Sequence, residues 1–358
     1  MPVGSTSWTS LLTHLLDGSD LTAHEAAWAM DETMTGRATP ASLAAFLVAL
    51  RAKGESVGEM RALSDMMLAH AVPFEKADHV RALDIVGTGG DGAHTVNIST
   101  MAAIVAAGAG LTVVKHGNRA ASSTSGSADV LEALGVRLDL STERVAHVAH
   151  QCGITFCFAQ AFHPSMRHAG PTRRELGVPT AFNFLGPLTN PAQPTYSAVG
   201  VGAAVMAPIM AGVFAERGKQ AVVFRGDDGL DEVTPATTTS LWWVAEGSVT
   251  PFVLDPRRVG FDLSPAEALR GQDATFNAGV VRSVCRGDGG PIRDAVLLNA
   301  GIAMALVDSH GSTGEGRVPH DEANVHERWA DGIRAARAAI DEGRALTLLD
   351  DWVRATQE

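Results

Sequence analysis

Over the first seventy or so positions, apolar residues recur at the three-to-four spacing of helices. Leu21–Met34 and Leu43–Leu50 carry the clearest stripes. Thr22 stands three residues before Glu25, the spacing of a capping box, and Thr39–Pro40 sets a first-turn proline ahead of the second stripe. The stretch from Trp8 to Pro73 therefore reads as several short helices, and no cluster of catalytic residue types lies in it. From Ala82 the pattern changes to short aliphatic runs that end at glycine or polar turns. Leu83–Val86, Leu111–Val114, Gly153–Phe158, Ser197–Val201 and Ala221–Phe224 are the expected strands. Helical stretches alternate with them, so the second part reads as an α/β unit around a mostly parallel sheet. Thr237–Ser240 reads as a polar loop. In such sheets ligands gather at the carboxyl ends of the strands.

Composition narrows the class. Of 358 residues, 46% are hydrophobic and 19% charged, enough apolar material for one large core and a smaller one. The formal net charge of −12, with no basic run, argues against a nucleic-acid partner. Three cysteines without regular spacing do not make a disulfide framework and fit a reducing cytoplasm. Cys152 and Cys157 with His163 and His168 lack the paired short spacing of a zinc site. Residues 1–8 lack the basic and apolar regions of a signal peptide. The uncharged stretch Tyr196–Ala215 is broken by Gly200, Gly202, Pro208 and Gly212. It reads as a strand followed by a helix rather than as a membrane span.

Four blocks could carry chemistry. The first is GTGGDG, Gly87–Gly92, directly after a strand and ahead of a helix that begins near Asn97–Thr100. Glycines let the backbone aim N–H groups at an anion, and a helix N-terminus adds unpaired donors. No Gly-Lys-Ser/Thr follows, so it is not a Walker loop. It matches GxGxxG, yet the next strand ends in Lys115, where a dinucleotide fold would place an acid. Asp91 would repel a bare pyrophosphate and suits a magnesium-bound or hydroxyl-bearing ligand. The second block, Lys115–Gly135, gathers Lys115, Asn118, Arg119, Ser122, Ser123 and Ser127 before a helix Ala128–Leu134, with Ser127 as its simplest N-cap. Two adjacent βα turns built for anions imply a substrate with phosphate at both ends.

The third block is DDGLDE, Asp227–Glu232, after the last expected strand. Asp231 and Glu232 side by side call for a cation, and facing a pyrophosphate their hard oxygens suit Mg2+. The fourth, His163–Pro191, combines Arg167, Arg173 and Arg174 with turns at Gly186–Pro187 and Asn190–Pro191. An arginine there can grip a carboxylate with a bidentate fork.

Together these blocks resemble the anthranilate phosphoribosyltransferase family over almost the whole chain. KHGNR…SSTSGSADVLEALG and FLGPLTNP (Phe184–Pro191) are the specific signatures, supported by LTAHEAAWAM…GRATPASLAAFLVALRAKGES and by the C-terminal AAIDEGRALTLLDDW. The resemblance implies a small helical domain, residues 1–78, to which roughly 160–190 return, hinged to an α/β domain over 79–358. It implies a homodimer formed through the helical part. Carried over by position, Gly87, Gly90, Asp91, Thr95, Asn97, Ile98, Ser99 and Thr100 would contact 5-phosphoribosyl 1-pyrophosphate. Lys115, His116, Gly117, Asn118, Arg119, Ala120, Ala121, Ser122, Ser123 and Ser127 would complete that site. Ser99, Asp231 and Glu232 would ligate Mg2+. Asn118 and Arg173 would contact anthranilate, with Gly87 bordering its amine. Pro179 departs from the family, which often has arginine before the following Thr-x-Phe-Asn stretch.

The reaction so implied joins anthranilate to C1 of the ribose and releases pyrophosphate, with no covalent enzyme intermediate. His116 could shuttle a proton or simply hold a position. A pyrimidine nucleoside phosphorylase on the same fold is the main rival. An NADP-dependent dehydrogenase and a nucleic-acid-binding relative stand further off.

Overall fold

The computed structural model describes residues 6–75, 81–120, 124–308 and 318–358. Four helices come first: α1 (Trp8–Leu16), α2 (Ala23–Met34), α3 (Pro40–Lys53) and α4 (Val57–Ala69). Thr22 and Glu25 form the expected capping box, and Thr39 caps α3 with Pro40 in its first turn. Ser56 and Glu59 cap α4 in the same reciprocal way.

Seven strands follow: β1 (Ala82–Gly87), β2 (Thr112–Gly117), β3 (Ile154–Phe158), β4 (Tyr196–Gly200), β5 (Gln220–Gly226), β6 (Thr239–Ala245) and β7 (Ser248–Leu254). Their order in the sheet is β3-β2-β1-β4-β5-β6-β7, parallel from β3 to β5 and antiparallel at β6 and β7. The chain runs outward from β1 to β2 and β3, then crosses back to β4. The topological switch point thus lies between β1 and β4, the place where such sheets bind ligands. Residues alternate between the two faces with the strand period of two. Leu83, Ile85, Ala198, Val222 and Trp243 join a core that includes the helices α5 (Ile98–Gly108), Pro291–Asp308 and Glu322–Asp341. On the other face Val86, Val199, Val223 and Val244 pack on the helix Met206–Glu216 and on α1–α4. Among the described residues no single helix is long and apolar enough to cross a membrane.

Two expectations change. Thr239 and Ser240 belong to β6, so the polar patch is a loop only in its first half. Strand β2 runs through Lys115 and His116 to Gly117, paired with Phe156, Cys157 and Phe158 of β3. Its polar end is therefore inside the sheet, not beyond it.

Candidate active site

The parallel pairing of β1 with β2 covers only Ala82–Leu83 and Thr112–Val113, whereas β1 stays paired with β4 as far as Gly87 and Gly200. Past Leu83 the two strands splay, and the backbone groups freed by the gap are bonded by side chains. The His116 N–H donates to Asp84 Oδ1 at 3.2 Å, Lys115 Nζ donates to the Ile85 carbonyl, and Asn190 Nδ2 donates to Val114 O at 2.8 Å. Asn190 Nδ2 also reaches Asp84 Oδ2 at 2.9 Å. All four side chains are buried. Burial pushes the Asp84 carboxyl up to about 6, against the pull of Lys115. Burial also lowers the Lys115 ammonium, which Asp84, Glu232 and Asp231 oppose.

Lys115 Nζ lies 3.2 Å from Ser99 Oγ, in the first turn of α5. The lysine therefore reaches from β2 across to β1 and to the first turn of α5, the elements on either side of the glycine loop. In that loop Gly89, Gly90 and Gly92 all have φ between +67° and +80°, the region that only glycine occupies freely. The acidic loop after β5 folds back across the ends of β1 and β4. A Cβ on Gly87 would stand 2.3 Å from Asp231 Oδ2, and one on Gly200 only 1.7 Å from the Asp231 carbonyl oxygen. Both strands must end in glycine for the acids to lie there. The Gly89 N–H donates to Asp231 Oδ2 at 2.6 Å and the Ser99 N–H to Glu232 Oε1 at 3.1 Å. Burial and the neighbouring Asp91 raise the Asp231 carboxyl to about 7, and burial and Asp231 raise Glu232 well above its usual value.

Such crowded carboxylates call for a cation. Among the described residues no three His, Cys, Asp or Glu side chains are gathered as a ligand cage. Mg2+ needs no such cage, because it binds through one or two carboxylates plus substrate phosphates and keeps several waters. Asp231, Glu232 and Ser99 fit it by donor chemistry.

The second anion loop differs in detail from its expectation. The helix α6 (Ser127–Leu134) has Gly126, not Ser127, as its N-cap. Asp129 Oδ2 accepts the Gly126 N–H at 2.9 Å and the Ala120 N–H at 3.0 Å. Ser127 Oγ would stand 2.5 Å from a Cβ on Gly117, which places the two together. Asn118 is exposed and its Oδ1 accepts the Arg119 N–H at 2.8 Å. Arg119 is paired with Asp129 and Glu132 and stacks over Phe158. Ala121, Ser122 and Ser123 lie outside the described residues. Asn97 bonds the Ser125 carbonyl at 3.1 Å, joining the two loops. Thr95 forms a bridge with Arg270, Ile98 is buried, and Thr100 Oγ1 is buried without a hydrogen-bond partner among the described residues.

His116 Nδ1 bonds the Gly186 carbonyl at 3.0 Å, so that nitrogen carries the proton. Burial, His163 and Lys115 depress its pKa to about 3. A ring so far from protonation stays neutral near pH 7, which favours the positional reading of His116 over the proton shuttle. The Gly186 contact anchors one end of the segment 164–191. Its other part packs on the helical bundle: a Cβ on Gly36 would lie 2.8 Å from His168 Nδ1, and Arg51 stacks 5.6 Å from the Phe184 ring. Arg173, on the helix Gly170–Leu176, has its guanidinium 5.2 Å from the Phe182 ring and no carboxylate partner among the described residues.

Residues 9–71 match the family described as "Glycosyl transferase family, helical bundle domain", and residues 79–346 match "Glycosyl transferase family, a/b domain". The anthranilate phosphoribosyltransferase of Arthrobacter sp. (strain FB24) is 54% identical over 351 residues, 98% of this chain and 96% of its own length. That of Thermobifida fusca (strain YX) is 55% identical over 351 residues, covering 98% and 97%. The chain belongs to the anthranilate phosphoribosyltransferase family. Among solved anthranilate phosphoribosyltransferases, that of Thermus thermophilus superposes with a TM-score of 0.87 at 38% identity, over 97% of this chain and 99% of the other. The Saccharomyces cerevisiae enzyme in complex with PRPP and Mg also superposes with a TM-score of 0.87, at 27% identity over 99% of both chains. Neither the phosphorylase nor the dehydrogenase alternative is favoured by these relatives.

The structure adds Asp84 and Gly200 to this anthranilate phosphoribosyltransferase site and gives Asn190, read in the sequence only as part of a turn, a role there. Asp84 and Asn190 hold the splayed strands, and Gly200 makes room for Asp231. Asp84 is an acid inside an aliphatic strand run, and that signal was available in the sequence.

Proposed function

We propose that this chain transfers the 5-phosphoribosyl group of 5-phosphoribosyl 1-pyrophosphate to the amine of anthranilate, giving N-(5-phosphoribosyl)anthranilate and pyrophosphate in tryptophan biosynthesis. The observation that carries this reading is the meeting of the glycine loop, the acidic loop and the end of β2 beside the switch point. Asp231 and Glu232 from one loop hold the N–H groups of Gly89 and Ser99 in another, above the Lys115 ammonium. Donors, acids and a buried cation together form a seat for a magnesium-bound pyrophosphate.

In this reading Gly87, Gly90, Asp91, Thr95 and Asn97–Thr100 contact phosphoribosyl pyrophosphate, and Lys115–Ser123 with Ser127 complete its site. Mg2+ held by Ser99, Asp231 and Glu232 would neutralise charge on the departing pyrophosphate. An aryl amine is neutral at pH 7 and needs no strong base. The N–C1 bond forms as the bond from C1 to the pyrophosphate oxygen breaks, and the amine then loses its proton. Lys115 and the loop N–H groups stabilise the charge that develops on the leaving group. Arg173 takes the anthranilate carboxylate, and Asn118 with Gly87 borders the amine, so that nitrogen faces C1.

We infer also that residues 1–78 with roughly 160–190 form the helical domain and that 79–358 form the α/β domain. The contacts of His168 and Phe184 with the bundle support that division. A homodimer through the helical part is supported by the exposure of Leu16 on α1 and Val48 on α3. Three free cysteines suit a cytoplasmic setting. The deciding experiment follows anthranilate fluorescence on adding phosphoribosyl pyrophosphate with Mg2+. A steady decay that stops when either component is omitted is expected; constant fluorescence with both present would overturn the reading.

A further inference from the structure

Asn97 occupies the N-cap position of α5, yet its side chain makes no bond to the first-turn N–H groups. A capping asparagine there is worth about 1 kcal/mol to a helix, so its diversion calls for a reason. Its amide is used elsewhere. Nδ2 donates to the Ser125 carbonyl at 3.1 Å, and Oδ1 accepts from Asn277 Nδ2 at 3.0 Å. Asn277 belongs to the helix Ala274–Arg286 and is 2% exposed. Its own Oδ1 accepts the Gln272 N–H at 3.0 Å.

These bonds have a direction. The backbone N–H of Gln272 admits only the oxygen of Asn277, which leaves its NH2 for Asn97. Asn97 must then offer its oxygen to Asn277 and its NH2 to the Ser125 carbonyl. One backbone donor thus fixes the orientation of two amides in series. The segment carrying Gln272 is itself clamped to the residues before α5. Val96 N donates to Leu269 O at 2.9 Å and Gly271 N to His94 O at 2.8 Å, and Thr95 bridges Arg270. A Cβ on Gly271 would meet the Thr95 carbonyl at 2.8 Å, so the two strips of backbone lie in direct contact.

We propose that Asn277 is a positioning residue for the phosphoribosyl pyrophosphate site. Through Asn97 it sets the spacing between the start of α5 and the Ser125 turn, and hence between the two anion-binding loops. The proposal rests on reading those loops as the seat of that substrate. Asn277 is buried and acts on the site through its bond to Asn97.

The test compares Asn277→Asp, Asn277→Ala and Asn97→Ala by steady-state kinetics and by calorimetric binding of phosphoribosyl pyrophosphate with Mg2+. Asn277→Asp keeps the size and still accepts the Gln272 N–H, but it has no N–H for Asn97. Losing the bond and leaving a buried acceptor unpaired should raise the KM and Kd for phosphoribosyl pyrophosphate on the order of tenfold. The KM for anthranilate should stay within about twofold, and Asn277→Ala should move the same constants in the same direction. A rise with Asn97→Ala but none with either Asn277 variant overturns the proposal. So does an equal rise in both KM values, or failure of both Asn277 variants to fold, since each makes Asn277 a core residue only. No rise with Asn97→Ala instead removes the site reading on which the proposal stands.

Discussion

Two side chains show how burial decides what a residue can do. Arg173 is partly stripped of water, rests on the Phe182 ring and has no carboxylate partner among the described residues. Burial lowers its pKa from the ordinary value, so a bound carboxylate would relieve that penalty. Arg173→Ala is therefore expected to raise the KM for anthranilate tenfold to roughly a hundredfold, with the KM for phosphoribosyl pyrophosphate nearly unchanged. Equal effects on both substrates, read from initial rates, would sink the assignment. His116 makes the opposite case. Its folded pKa of about 3 lies below the ordinary 6.5, so as pH falls the unfolded chain takes up the proton first. Stability is thus intact above pH 6.5 and is lost as pH falls from 6.5 towards 3, by on the order of 5 kcal/mol in the limit. Urea unfolding of the wild type and of His116→Asn at pH 7.5 and pH 4.5 measures this. The variant should lose markedly less stability on acidification, and parallel losses would show that other groups, such as His163, carry the effect. Because the ring is neutral throughout, the rate between pH 6 and 8 should show no step that disappears in His116→Asn.

At the level of elements, the decisive feature is the gap between β1 and β2. Asp84 and Asn190 replace ladder hydrogen bonds with side-chain ones, and Lys115 enters through the opening to reach Ser99. Asn190→Ala takes the Asn190 donor from buried Asp84 Oδ2 and from the Val114 carbonyl, leaving the carboxylate its His116 N–H. It is expected to destabilise the protein by about 3 kcal/mol and to lower turnover more than it shifts either KM. Chemical denaturation and kinetics on the same samples check both statements; an unchanged denaturation midpoint would show that the seam is dispensable. This seam was only partly legible in the sequence. The five parallel strands and the helix caps at Thr22 and Thr39 could be read from local period and spacing, because each depends on residues a few positions apart. Strands β6 and β7 could not. The first opens on Thr239–Ser240, polar residues that resemble a loop, and the second contains Pro251, which an edge strand tolerates but which removes the usual strand signal. The residues of the candidate site were legible as motifs, but their partners were not. That Arg119 is held by Glu132, and that Asp129 meets the Gly126 N–H, are contacts inside the block Lys115–Gly135, where the spacing left several pairings open. That Asp231 needs Gly200 is a contact between two separate segments of the chain, and nothing within either motif encodes it.

At the scale of the whole molecule, the two units share a core. One continuous cluster runs from Leu11, Leu47 and Leu63 of the bundle, through Phe182 and Leu185 of the crossing segment and Met210 and Phe214 of the helix Met206–Glu216, to Val199 and Val223 of the sheet. Gly212 is needed where that helix meets α4, since a Cβ there would stand 2.7 Å from Val57 Cγ2. Arg217, at the end of the same helix, donates to Asp65 Oδ1 at 2.9 Å, to Ser64 Oγ at 2.6 Å and to the Leu188 carbonyl at 2.8 Å. One guanidinium thus ties the bundle, the crossing segment and the α/β unit. Because burying one face of the sheet requires the bundle, neither unit can unfold without exposing the other's core. Heating is therefore expected to give a single transition whose calorimetric and van't Hoff enthalpies agree for the folding unit. Arg217→Met should loosen the junction by on the order of 2 kcal/mol, since Asp65 is half exposed and regains water. That variant should lower the midpoint while keeping one transition. A separate low-temperature transition in the wild type, with loss of bundle helicity and an intact sheet, would show that the shared cluster is a contact between two independent domains rather than one core.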